Sequence, residues 1–437
     1  MFREKINDLI EWKNSADRKP LIIRGARQVG KTWLMKEFGE KYYKKVAYIN
    51  FDNNNIMKSL FEGDLSIENI VLGLRIESGV QIDTEDTLII FDEFQEVPKA
   101  LTSLKYFYEN ANEYHIIAAG SLLGVALHEG TSFPVGKVSF LDLYPLNFKE
   151  FLIATGNESL SELMEIGNWE LVNTFSSKFI DLLKQYYFIG GMPEVVLSFI
   201  ENSDLKKVSI LQRKILDSYE QDFSKHAPIS IVPRLRMLWN SIPSQLAKEN
   251  KKFVYGLIRE GARAREYEIA LAWLTDCGLA HQVSRVTKPN MPLKSYQDFH
   301  AFKLFILDVG LLTCMLGLDS KTILEGNTIF TESKGTLTEQ FVLQQLISNK
   351  DMYIYYWSAE KGTAELDFVL QTNGEIIPLE VKAEENLQAK SLKAYINKFT
   401  PKYAVRTSMT NYKEEANLIN VPLSSIGEID KILKQIN

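Results

Sequence analysis

Eight residues near the amino terminus, Gly25, Ala26, Arg27, Gln28, Val29, Gly30, Lys31 and Thr32, combine two glycines, a lysine and a hydroxyl at fixed spacing. Glycines let a loop turn its N–H groups inward, lysine brings a mobile positive charge, and threonine offers an oxygen to a hard cation. Together they suit a phosphate chain carrying magnesium. Trp33 follows directly. Downstream, Thr87–Phe94 reads as an apolar strand ending in Asp92 and Glu93. The first acid suits the shell of the cation, and the second suits a water molecule attacking phosphorus. The expected ligands of Mg2+ are therefore Thr32 and Asp92, with Lys31 on the β- and γ-phosphates of ATP and Glu93 as base. A further strand, HIIAAGS, places Ser121 at its carboxyl end, where open α/β sheets bind ligands and a small hydroxyl can sense the γ-phosphate. A tight turn is the competing reading of Ser121.

A second set of reactive residues lies toward the carboxyl terminus. Residues 364–385, AELDFVLQTNGEIIPLEVKAEE, read as a hairpin: a strand with Asp367, a Thr-Asn-Gly turn, and a strand with Glu380 and Lys382. Residues two apart on a strand share a face, so Glu380 and Lys382 project together, as do Glu365 and Asp367. Ahead of the hairpin, SKGTLTEQFVLQQLI puts Glu339 on a helical pattern. This set resembles the core of the PD-(D/E)XK nucleases. The resemblance implies Glu339, Asp367 and Glu380 as ligands of Mg2+ or Mn2+, with Asp367, Glu380 and Lys382 serving the attack of water on phosphorus. It makes Glu365 a further ligand or a neighbour, and Gln388 a polar contact. The plainer reading is a Glu–Lys pair on an exposed strand face, with Pro378 confining its strand to an edge-compatible position.

The elements that must hold these residues follow from pattern. Pro20–Ile23 is a short apolar run, the glycine loop comes next, and LMKEFGEKY has helical character, giving strand, loop and helix. Beyond Phe151 helical patterns dominate, as in VSILQRKILDSYEQDFSKH. In YEIALAWLTDCGLAHQVSRV a helix, Gly278 and a β-rich run follow one another, similar to a winged helix, a module that binds DNA in some proteins and protein in others. FKLFILDVGLLTCMLGL reads as core and hinge, without chemistry.

The order GARQVGKT, LIIFDE, IIAAGS, FPVGKV, LYPLNFKEFL and FIGGMPEVV resembles, over nearly the whole chain, the AAA-type ATP-binding proteins of bacteria and archaea that carry a C-terminal domain of unassigned function. That group stands near the signal-transduction class of ATPases, which implies an adenine contact from Gly191, Met192 and Pro193. It also implies an arginine near the γ-phosphate, for which Arg27, Arg263 and Arg265 are candidates. Where an arginine is expected after glycine, this chain has Lys137. The implied fold is α/β: a P-loop AAA-type core over residues 1–155, a helical lid over 156–230, a winged-helix-like domain over 231–320 and a nuclease-like α/β domain over 321–437.

A chain of 437 residues exceeds one hydrophobic core and calls for several domains. The net charge of -6 excludes a uniformly basic nucleic-acid coat, so any contact with DNA or RNA is regional. Between Glu201 and Arg265 thirteen Lys or Arg face seven Asp or Glu, an excess that fits solvated helix faces better than a phosphate groove. Two cysteines, Cys277 and Cys314, are too few for a disulfide framework. With an opening, MFREKINDLIEWKN, unlike a signal peptide and no run long enough to span a bilayer, the expected place is the cytoplasm. Two functions follow. One is an ATP-controlled nuclease or nucleic-acid binder; the other is an ATP switch with an inactive nuclease-like domain that presents a surface to a protein partner. A small-molecule kinase is disfavoured, because Asp92 and Glu93 together suit water activation.

Overall fold

The computed structural model describes residues 1–120, 134–248, 250–325, 328–360, 363–383 and 390–436, and no side chains over 328–333. The chain forms two compact units, Met1–Tyr144 with Asp276–Gly278, and Pro145–Thr275 with Leu279–Asn437.

The first unit is built on five parallel strands: β1 (Leu21–Arg24), β2 (Lys45–Asn50), β3 (Thr87–Asp92), β4 (His115–Ala119) and β5 (Ser139–Asp142). Their order in the sheet is β2-β3-β4-β1-β5, so β4 stands between the strand that leads into the glycine loop and the strand that ends in Asp92. Parallel pairing needs long crossovers that cover the faces, which is why β3 is buried at every position and apolar from Leu88 to Phe91. The crossovers described are α2 (Lys31–Tyr42), α3 (Asn55–Glu62) with α4 (Ile67–Ser78), and α5 (Pro98–Asn110); α1 (Lys5–Asn14) precedes the sheet. One face packs Phe51 and Phe61 edge to face on Phe91, at ring centroids 5.3 and 5.9 Å, and tilted against each other at 5.5 Å.

The second unit begins with helices, among them Ser176–Ile189, Pro193–Asn202, Leu205–His226 and Val232–Leu246. The run VSILQRKILDSYEQDFSKH lies in the third of these, as its period indicates. An eight-stranded mixed sheet follows, made of β6 (Ala280–Val286), β7 (Gln297–Ile306), β8 (Tyr353–Ser358), β9 (Glu365–Thr372), β10 (Glu375–Val381), β11 (Ala404–Ser408), β12 (Lys413–Glu415) and β13 (Leu418–Pro422). Its order is β12-β13-β11-β10-β9-β8-β6-β7. The strand pair expected as a wing exists, β6 running antiparallel to β7, but it joins the other strands through the parallel contact of Arg285 and Val286 with Tyr356 and Trp357. The expected boundary at residue 320 thus falls within one sheet, because pairing between β6 and β8 depends on residues too distant for a local pattern to show.

The hairpin forms as its turn dictates. Asn373 and Gly374 both have positive φ, 48° and 76°, the geometry a two-residue hairpin turn requires. Pro378 does not put β10 at an edge; β10 lies between β9 and β11. The parallel ladder to β11 begins at Leu379, just past the residue that lacks an N–H. Among the described residues no helix is long and apolar enough to cross a membrane.

Candidate functional site

The glycine loop is held from several sides. Gly25 has φ +151°, and a Cβ there would stand 2.2 Å from the Leu143 carbonyl oxygen, so only glycine lets the loop pass so close. Gly30 takes the left-handed conformation that opens α2. Val29 and Ala26 are buried, whereas Arg27, Gln28 and Trp33 are exposed. Arg3, itself buried, donates to the Val29 carbonyl at 3.0 Å and to the Tyr144 carbonyl at 2.6 Å. Nothing in the sequence marks Arg3 for this task.

Within the loop Lys31 Nζ donates to the carbonyls of Gly25 and Ala26 at 2.9 and 2.8 Å. Its partners are dipoles, not charges. Burial pushes the Lys31 ammonium down to about 8, against the opposing pull of Glu93 and Asp92, and Arg27 adds to the fall. A phosphate arriving here would restore the full charge. Thr32 Oγ1 donates to Asp92 Oδ2 at 2.7 Å, and the Tyr48 hydroxyl donates to the same oxygen at 2.9 Å. The other oxygen, Oδ1, accepts from the Glu93 N–H at 3.1 Å. A hydroxyl and a buried carboxylate oxygen in contact make the all-oxygen donor set that magnesium takes, so these residues fit the ion. Glu93 has φ +52°, uncommon for a residue with a side chain and frequent at functional turns.

The second constellation converges, and it brings residues the sequence reading missed. Glu339 sits on the helix Thr328–Leu346, whose neighbouring glutamines tie it to the end of β7: Gln340 bonds both polar groups of the Ile306 backbone, and Gln344 accepts from the Val309 N–H at 2.8 Å. Lys303 of β7 is 1% exposed and lies 2.9 Å from Glu365, 3.5 Å from Glu339 and 4.0 Å from Asp367. Lys251 pairs with the other oxygen of Glu339. Lys382 pairs with Glu380 at 2.7 Å, and the Val381 N–H donates to Asp367 at 2.7 Å.

The electrostatics follow from this packing. Burial opposes the charge of Lys303, but Glu339, Glu365 and Asp367 hold it above the ordinary lysine range. Burial likewise opposes ionisation of Glu339, and the ammonium groups of Lys251 and Lys303 nonetheless bring it down to about 2. Asp367 is pushed well up by burial and by the charges of Glu339 and Glu380, against the pull of Lys303 and Lys251. Glu380 rises too, mainly through burial.

Four carboxyls therefore face three lysines, Asp367 being the one whose ionisation the packing opposes most. Among the described residues no donor meets Glu380 Oε2, which is buried. Among the described residues no three His, Cys, Asp or Glu side chains are disposed to share a metal ion. A divalent cation needs carboxylate oxygens gathered around one point at about 2.0–2.6 Å, whereas Lys303 stands among them here. The residues as arranged do not fit the metal that Glu339, Asp367 and Glu380 were expected to bind. FKLFILDVGLLTCMLGL, read as free of chemistry, contains the lysine responsible.

That same segment supplies Asp308, fully buried, which accepts from the Gly191 N–H at 2.6 Å. The Gly191 carbonyl accepts from the Leu146 N–H at 2.7 Å, and a Cβ on Gly191 would stand 2.0 Å from the Leu146 oxygen. Both backbone groups of Gly191 are thus committed within the second unit, and Pro193 opens the helix that follows Met192. Lys137 pairs with Glu109 at 3.1 Å and lies over the Tyr108 ring. Arg263 and Arg265 are exposed. Ser121 and Gln388 lie outside the described residues.

Residues 17–152 match the family described as AAA domain, and the first unit is accordingly an AAA-type ATP-binding domain with a P-loop. Residues 180–322 and 334–426 match two families described as domains of unknown function, DUF8612 and DUF4143. An uncharacterized protein of Methanocaldococcus jannaschii, MJ1544, is 22% identical over 386 residues, covering 86% of this chain and 77% of that protein. The uncharacterized protein Rv2008c of Mycobacterium tuberculosis is 24% identical over 395 residues, covering 87% and 74%. Among solved structures, the Walker-type ATPase PABY2304 of Pyrococcus abyssi aligns with 72% of this chain and 95% of its own, at 14% identity and a TM-score of 0.44. The Orc1 protein of Aeropyrum pernix, solved in complex with DNA, aligns with 72% and 93% at 12% identity and a TM-score of 0.28.

Proposed function

We propose that this protein hydrolyses ATP in its first unit and uses the change of bound nucleotide to switch its second unit between two states with different affinity for a partner. The observation that carries the reading is Lys31 hydrogen-bonded to two loop carbonyls beside the Thr32–Asp92 pair, a cationic cradle with no direct ion pair among the described residues. Lys31 and the N–H groups at the start of α2 take the phosphates. Thr32 and Asp92 hold magnesium, which when bound neutralises charge on the β- and γ-phosphates. Glu93 orients water and accepts its proton as the water oxygen bonds to the γ-phosphorus and the bond to ADP breaks, giving ADP and phosphate. Ser121 serves as γ-phosphate sensor.

The lysine-filled carboxylate cluster favours a second unit that binds a partner without cutting it. Cleavage of DNA or RNA is the competing reading, supported by the convergence of Asp367, Glu380 and Lys382, and it requires Mg2+ or Mn2+ to displace Lys303. Hydrogen exchange of the whole chain with ATP, ADP and no nucleotide tests the switch. Protection in the second unit should differ between ATP and ADP and lose that difference in Lys31→Ala; identical exchange in all states would sink it. Nucleic acid cut by the wild type and left intact by Asp367→Ala would instead establish the nuclease.

A further inference from the structure

We infer that Gln95 is the positioning residue that aims Glu93 for hydrolysis, an inference that rests on Glu93 being the group that takes the proton from water. Glu93 leaves β3 in the left-handed conformation, and the single turn Phe94–Glu96 folds the Gln95 side chain back upon it. Gln95 Nε2 donates to Glu93 Oε2 at 2.6 Å. A carboxylate only accepts, so the amide nitrogen must be the atom facing it. The bond narrows the set of rotamers open to the glutamate side chain.

The opposite end of the amide is fixed as well. Among the described residues no donor meets Gln95 Oε1, which is buried and lies against Gly120, at the carboxyl end of β4. A Cβ added to Gly120 would stand 2.2 Å from Gln95 Oε1, 3.2 Å from its Cδ and 3.5 Å from the ring of fully buried Phe94. Gly120 therefore leaves just enough room for the amide to reach Glu93. Because β4 lies between β1 and β3, Gln95 joins the end of the central strand to the acid at the end of its neighbour. A spacer of this length and polarity does what alanine or leucine at the same position would not: it holds one carboxylate oxygen while the rest of the group faces the phosphate cradle, where its charge acts on Lys31.

The experiment is steady-state ATP hydrolysis by the full chain, with nucleotide affinity measured separately, for wild type, Gln95→Leu, Gly120→Ala and the double variant. Turnover by the wild type, lost in Glu93→Gln, establishes the parent reading; its absence would defeat that reading, and the present inference with it. Given turnover, Gln95→Leu should lower kcat by at least about tenfold while KM and ATP affinity stay within about twofold, the pattern of an interaction that matters in the transition state. Gly120→Ala should lower kcat similarly, and the double variant should be no worse than either single one, because both act by removing the same contact. A Gln95→Leu enzyme with wild-type kcat, a fall confined to ATP affinity, or additive losses in the double variant would each overturn the role assigned to Gln95.

Discussion

Lys31 and Lys303 are both lysines taken out of water, and they differ in what surrounds them. Lys31 lies between two backbone carbonyls, and burial leaves its charge poorly supported, with an ordinary value pulled down to about 8. Lys303 is 1% exposed among three carboxyls that more than offset the effect of burial. The first site is electrostatically incomplete and gains by taking an anion. The second has its counter-charges built in and gains little from a cation. Burying a charge commits a protein to a partner, and the two units differ in whether that partner belongs to the chain.

The strongest test of this contrast removes Lys303. Breaking a buried pair leaves uncompensated charge and typically costs about 3–5 kcal/mol. Lys303→Met should lower the denaturation midpoint of the second unit accordingly, and Mn2+ should recover part of the loss by entering the vacated place. A midpoint equal to that of wild type, insensitive to Mn2+, would erase the contrast. Next in size, Lys31→Ala should weaken ATP binding about a hundredfold by nucleotide titration, since hydrogen bonds to charged groups contribute about 1.5–3 kcal/mol. Retained affinity would mean that the cradle binds through its N–H groups alone.

Acid and base sharpen the comparison from opposite sides. Phosphate raises the proton affinity of Lys31 above that of the empty cradle, so ATP binding takes up a proton once the pH passes about 8. Affinity should be flat below that value and fall by up to about tenfold per unit above it. Glu339 has its value lowered from 4.5 to about 2, so its contribution to stability is present above pH 4.5 and disappears as the pH falls from there toward 2. Unfolding followed across both ranges would separate the two sites. The smallest effect expected is that of Tyr48→Phe, which loses one bond to Asp92 worth about 0.5–1.5 kcal/mol and should raise the magnesium needed for half-maximal turnover a few-fold.

The first site was legible in the sequence because its parts are local: the loop is contiguous, and Asp92 and Glu93 close one apolar strand. Arg3 and Tyr48 escaped, since each acts through a backbone group or carboxylate that only the folded sheet brings near, and Gln95 escaped because nothing in its type shows that the turn after Glu93 folds it back. In the second unit the hairpin could be read from Asn373 and Gly374, but its charge balance could not. The signal was present in AFKLFI, where one lysine interrupts an apolar strand and must find an acid inside. Which acid it meets depends on the register among β7, β8 and β9, fixed by pairings between residues far apart in the chain.

The seam between β6 and β8 bears on how such a chain can be inherited. The segments matched by the two domain families of unknown function, 180–322 and 334–426, each supply strands to a single sheet. Neither is a cassette that recombination could move by itself: a break between them would bare two strand edges, and bare edges pair with whatever strand comes by. The two segments are thus constrained to travel together, as one inheritable piece under two labels.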